Sequence, residues 1–204
     1  MSIISEGVMQ LPLAGGWLRL PDQGDDVDAG IAALLAELGE LDAEATRQLG
    51  AGLRIVTGLA HSLAPGARTS HALVLQPDSG RVQALLSIRL SRITPEAYDN
   101  YLAAARAYAG DERVEAIKRS VEEVQLPDGR GILSHDFTLA IQREGVPDPA
   151  LERCFLAYFP GGFDTAVEFT LLTQNLALFE DAPAYLVALA AGERPAVPGW
   201  EEPA

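Results

Sequence analysis

The sequence predicts an α+β fold: an antiparallel β-sheet of about six strands with helices packed on it, plus an N-terminal helical hairpin. Three observations lead there. Most segments between residues 71 and 173 alternate apolar and polar side chains with a period of two. Turn sequences such as Pro127-Asp128-Gly129 and Pro160-Gly161-Gly162 join them, and tight turns make neighbouring strands antiparallel. Residues 27–64 instead carry apolar residues at helical spacing.

The opening reads as two short extended pieces, Val8–Leu13 and Trp17–Leu20, around Gly15-Gly16. Asp25 or Asp26 caps a first helix with Val27, Ile31, Leu34, Leu35 and Leu38 on one face, and Gly39 ends it. Asp42 caps a second, whose stripe is Ala45, Leu49, Leu53, Val56, Ala60 and Leu63. Ile55 and Leu59 widen that stripe, which predicts burial over more than one seam. Gly50, Gly52 and Gly58 each cost about 1 kcal/mol relative to Ala, which predicts a close backbone approach or an interrupted helix. Pro65-Gly66 closes the hairpin.

His71–Leu75 is a short strand and Pro77–Gly80 a turn. The next strand puts Val82, Ala84, Leu86, Ile88 and Leu90 on one face and Arg81, Gln83, Ser87 and Arg89 on the other, a hairpin with one buried face. Thr94-Pro95-Glu96 starts a helix with stripe Tyr98, Tyr101, Leu102, Ala105 and Tyr108, stopped by Gly110. Four strands follow, at Lys118–Leu126, Ile132–Ile141, Leu151–Phe159 and Thr165–Thr173; a turn at 144–149 joins the second to the third. Glu122 and Glu123 place the first near an edge. Asp181 caps the last helix, which buries Tyr185, Leu186, Leu189 and Ala190 and ends at Gly192 and Pro195. The tail from Pro198, with Trp200, reads as loose. No linker rich in Gly, Ser or Pro interrupts residues 20–195, which predicts one α+β domain over 1–204, with the hairpin at 27–64 and sheet and helices at 70–195.

Fifteen basic against 29 acidic residues give a formal charge of −14. Nucleic-acid binders carry a basic face, and no Lys/Arg cluster with interleaved aromatics occurs here, so no nucleic-acid partner is expected. No run approaches the ~18 apolar residues of a membrane span, so no membrane insertion is expected either. Met1–Glu6 lack a secretory signal and predict a cytoplasmic location. Fourteen Arg against one Lys, Lys118, match a high-GC bacterial coding bias. Eight carboxylates without Lys or Arg fall between Pro21 and Ala45. They read as a solvated helix face with favourable charge at helix N-termini, or as a docking face for a basic partner. The same stretch fails the spacing and closing Glu of a calcium loop.

Ser134-His135-Asp136 names the residue types of a hydrolytic triad, but adjacent strand side chains point to opposite faces, so His135 cannot meet its neighbours. His135 reads as a core or interface histidine among Leu133, Phe137 and Leu139. His61 suits a helix C-terminus; His71 opens a strand. No His pair has ligand spacing, and the single cysteine, Cys154, reads as a small buried hydrophobe. Glu122 and Glu123 cannot converge, and no glycine cluster forms a phosphate loop. No catalytic, cofactor-binding or metal-ligating residue is assigned, and no cofactor is expected.

Three stretches carry a resemblance of layout: Gly16-Trp17-Leu18-Arg19-Leu20-Pro21; Ser87 to Tyr98, a strand running into a capped helix; and Phe179 to Leu186, ending near Arg194-Pro195. With the meander between the last two, the chain resembles the PsbP-like fold, including its actinobacterial LpqN-type members, over about residues 70–195. LpqN-type proteins are often exported lipoproteins, and the signal and lipid-bearing cysteine are not seen here. The hairpin at 27–64 departs from the compact form of that fold. The resemblance implies a non-catalytic binding or assembly module and transfers no functional residue.

The expected function is therefore a non-enzymatic accessory or adaptor protein of a bacterial assembly, with a protein partner that is basic. The alternative is an acidic chaperone-like or immunity-type protein masking a basic client. A third reading is an enzyme or small-ligand binder with a pocket between sheet and helices, for which His135 and Asp136 are the residues to mutate first.

Overall fold

The computed structural model describes residues 4–5, 8–9, 11–63, 68–94, 96–107, 114–140, 150–197 and 199. The expectations at Pro65-Gly66, Pro95, Tyr108, Gly110, Ile141, the turn at 144–149 and the tail with Trp200 lie outside them. In chain order the elements are β1 (Ile4–Ser5), β2 (Val8–Met9), β3 (Trp17–Arg19), α1 (Val27–Glu37), α2 (Ala43–Ser62), β4 (Arg68–Leu73) and β5 (Ala84–Arg92). Then come α3 (Ala97–Ala107), β6 (Val114–Leu126), β7 (Gly129–Ala140), β8 (Ala150–Pro160), β9 (Thr165–Thr173) and α4 (Ala182–Ala190).

Capping carboxylates fix three helix starts. Asp26 accepts from the Ala29 amide at 3.0 Å, Asp42 from Ala45 at 2.7 Å and Asp181 from Ala184 at 2.8 Å, each satisfying an amide that the helix leaves open. The main sheet is antiparallel with order β3-β4-β5-β9-β8-β7-β6, and β1 pairs separately with β2. It has seven strands where the sequence predicts about six. The extra one is Trp17–Arg19: Gly16, at φ +84°, turns the chain so that Trp17 pairs with Leu73 and Arg19 with His71. β6 stands at an edge, as its glutamates suggest.

One face of the sheet packs on α4. Leu86, Ile88, Leu156, Val167 and Phe169 meet Tyr185, Leu186 and Leu189 there. The opposite face carries two separate apolar patches. Leu20, Ala72, Leu85 and Leu172 pack with Ile31, Leu49 and Leu53 of α1 and α2, while Ile132, Ala157, Phe159 and Ala166 pack with Tyr98 of α3. β5 therefore differs from its expected single buried face. Leu86 points to α4 and Leu85 to α2, and both are buried because β5 lies inside the sheet with helices on each side.

α2 also departs from its pattern. Ile55 is 71% exposed and Leu59 39%, because the sheet and α1 occupy the other sides of the helix. The helix runs unbroken through its glycines. A Cβ at Gly50 would meet side chains of Leu35 and Arg54, one at Gly52 would lie 3.3 Å from Val82, and one at Gly58 would meet nothing within 4 Å. Side chains, not a second backbone, set the close approach.

Two glycines give opposite expected outcomes in urea denaturation. Gly58→Ala stabilises by about 0.5–1 kcal/mol, since the methyl enters open space and improves helix propensity. Gly129→Ala destabilises by about 1–3 kcal/mol or more, because its Cβ would stand 2.2 Å from the Phe159 carbonyl oxygen.

Candidate functional site

On the α4 side of the sheet, β7 and β8 bring three ligating side chains together. Glu152 and Cys154 are two residues apart on β8, so they share a face, and the register sets His135 directly opposite Cys154. His135 Nε2 lies 2.8 Å from Glu152 Oε1, and the donor atoms of His135, Glu152 and Cys154 all fall within 4.8 Å of one another. Cys154 is fully buried and Glu152 is 4% exposed. The second Glu152 oxygen, Oε2, has no hydrogen-bond partner among the described residues. His135 keeps 19% of its side chain exposed and tilts against the Phe137 ring, with centroids 4.6 Å apart.

Burial pushes the Cys154 thiol up, and the carboxylates of Glu152, Asp136 and Asp181 act in the same direction. A thiol held protonated is a poor nucleophile, since the thiolate is the reactive form.

Ser134 and Asp136 face the other way, so Ser134-His135-Asp136 forms no triad, for the reason strand alternation gives. Asp136, 1% exposed, lies 3.2 Å from Arg119 and 2.5 Å from Arg153. Across the same face Arg89 donates to both Glu168 oxygens at 2.6–2.9 Å, joined by the Ser91 hydroxyl at 2.6 Å and the Tyr101 hydroxyl. Between these groups Ser70 donates to Ser87 at 3.1 Å. This polar band fills the gap between the α2 and α3 patches, and each buried carboxylate in it meets arginine. Removing one partner of such a pair leaves a buried charge uncompensated.

The acids of residues 22–44 turn out largely structural. Asp26 and Asp42 cap helices, Asp25 accepts from the Asp22 amide, and Asp22, Asp28 and Glu44 pair with Arg19, Arg54 and Arg47. Glu37 and Glu40 take no part in these contacts. His61 meets the Pro21 carbonyl oxygen at 3.0 Å. Trp17 donates to the Tyr185 hydroxyl at 2.9 Å, which makes it a packing residue. Tyr98 packs edge-on against Phe159, and its hydroxyl donates to Glu123. No helix among the described residues is long and apolar enough to cross a membrane.

Sequence reasoning missed the His135–Glu152–Cys154 cluster. The spacing of Glu152 and Cys154 on one strand face was a legible half of it; the register against β7 was not.

No protein-family model matches the sequence, and comparison with curated proteins finds no match. Among solved structures the chain is similar to cyanobacterial PsbP (CyanoP) from Synechocystis sp. PCC 6803, at 13% identity and a TM-score of 0.41, covering 87% of this chain and 81% of that one. This is a weak PsbP-like likeness of fold.

His71 gives this region a pH dependence. Burial pushes its imidazole down to about 4, the Arg19 guanidinium acts the same way, and Nδ1 finds no partner among the described residues. The unfolded chain takes up a proton near pH 6.5 that the folded chain resists. The stability tied to neutral His71 is thus present above about pH 6.5 and is lost as the pH falls towards 4. At ~1.4 kcal/mol per pK unit this is about 3 kcal/mol. Urea unfolding between pH 7 and 5 should show falling stability, with a flatter slope in His71→Phe.

Proposed function

We propose that the chain is a non-enzymatic interaction module, an accessory or adaptor protein of a bacterial cytoplasmic assembly, that docks through the outer face of the helical hairpin at 27–64. One observation carries this reading: Ile55 and Leu59 stand one turn apart on α2, open to solvent, while Leu49, Leu53 and Ala60 of the same helix are buried. Neither side chain belongs to a core cluster of the described residues. Covering what remains open is worth about 1–2 kcal/mol at Ile55 and about half that at Leu59, which is already more than half covered. The partner's chemistry follows from charge: with a net −14, and Glu37 and Glu40 outside the caps and ion pairs of the hairpin, a basic surface around an apolar notch is the complement.

The same charge favours a second reading, an acidic chaperone-like or immunity-type protein that masks a basic client. Salt separates the two. Docking centred on Ile55 and Leu59 survives raised ionic strength, whereas masking held by charge alone does not.

The test is quantitative affinity purification from the source organism with wild type and the Ile55→Asp/Leu59→Asp double variant. Specific partners are expected to be lost from the variant, whose fold is first checked by circular dichroism because two aspartates inside α2 cost about 1 kcal/mol or more. Equal recovery of the same partners by both proteins would overturn the reading.

A further inference from the structure

We infer that His135, Glu152 and Cys154 form a binding site for a divalent transition-metal ion of the zinc class. The donor set is the first reason. An imidazole nitrogen, a carboxylate oxygen and a sulfur suit zinc and its neighbours, whereas calcium and magnesium take about six or more oxygens and find one carboxylate here. Charge balance is the second. With the thiol deprotonated, Glu152 and Cys154 supply two negative charges and His135 none, which neutralises a divalent ion in a site where Glu152 is 4% exposed and Cys154 fully buried. Without an ion, the Glu152 carboxylate is buried with the imidazole as its one hydrogen-bond partner among the described residues and with Oε2 unpaired there, a costly arrangement that a cation relieves.

Geometry is the third reason. Metal–ligand bonds of about 2.0–2.3 Å place tetrahedral donors roughly 3.3–3.8 Å apart. The three donor atoms already fall within 4.8 Å of one another, on two paired strands that hold their spacing. Side-chain rotation alone converges them, opening the 2.8 Å contact between His135 and Glu152 as the ion enters. Binding replaces the S–H bond of Cys154 with a sulfur–metal bond, and the proton leaves to solvent. Three protein donors leave a fourth position for water on the side where His135 reaches the surface. Asp181, whose charge is felt at Cys154, is committed to capping α4. The site stands independently of the docking face on α2.

The full chain, stripped with a chelator and titrated with cobalt(II), provides the test. Cys154 is its only cysteine, so a thiolate-to-cobalt charge-transfer band reports this one sulfur. One equivalent of cobalt is expected to bind with that band and with the visible bands of tetrahedral coordination, and zinc should bleach both. Zinc alone should raise the thermal midpoint of the wild type and leave Glu152→Gln and His135→Gln unmoved, each first checked for its fold by circular dichroism. Absence of the charge-transfer band in the wild type would overturn the site. So would its survival in Cys154→Ser, or zinc stabilisation retained in folded Glu152→Gln.

Discussion

The pleat of a sheet covered on both faces governs this molecule. In the central strands most side chains are covered, half towards α4 and half towards α1, α2 and α3. On β8 the residues Glu152, Cys154, Leu156 and Tyr158 lie on one side, and Arg153, Phe155, Ala157 and Phe159 on the other. Polar residues on such strands have no solvent face to turn to. They must find partners across the strands.

Two kinds of solution follow. On the face of α2 and α3, Asp136 and Glu168 are answered by arginines from neighbouring strands, so neither carboxylate lies there uncompensated. On the face of α4, Glu152 is answered among the described residues by an imidazole alone and lies beside a sulfur. That asymmetry separates a structural ion pair from a set of donors arranged around a common point. Most of the acids of residues 22–44 are used locally, in caps and ion pairs, which leaves Glu37, Glu40 and the exposed aliphatic pair on α2.

Local chemistry made much of the fold legible. Asp26, Asp42 and Asp181 announce helix starts because a carboxylate at those positions has amides to cap. The tight turns after β6 and β8 follow from their Pro, Asp and Gly content, and the charged β6 falls at an edge. What stayed hidden is what depends on partners distant in sequence. Trp17–Arg19 is too short to declare itself a strand until β4 pairs with it. The alternation of β5 reads as one buried face because Ser87 and Arg89 are polar, yet their covering comes from other elements. Ile55 and Leu59 fit a helical stripe numerically but sit on the side of α2 turned away from the sheet and α1, outside the core clusters of the described residues. For the candidate site, parity along β8 was readable while the pairing of His135 with Cys154 was not. A tight turn would have fixed that register, but nine residues, 141–149, separate the two strands in sequence.

The strand order carries one more consequence, for how the chain reaches this state. β5 and β9 are neighbours, with Ala84 opposite Thr173, so the seam joining the sheet's two halves closes across some ninety residues. During synthesis β5 emerges from the ribosome and stays with one open edge until β9 follows. The nascent chain thus passes through an interval in which an apolar strand edge is available to other molecules, the period when a folding helper or a misfolding event would act on it.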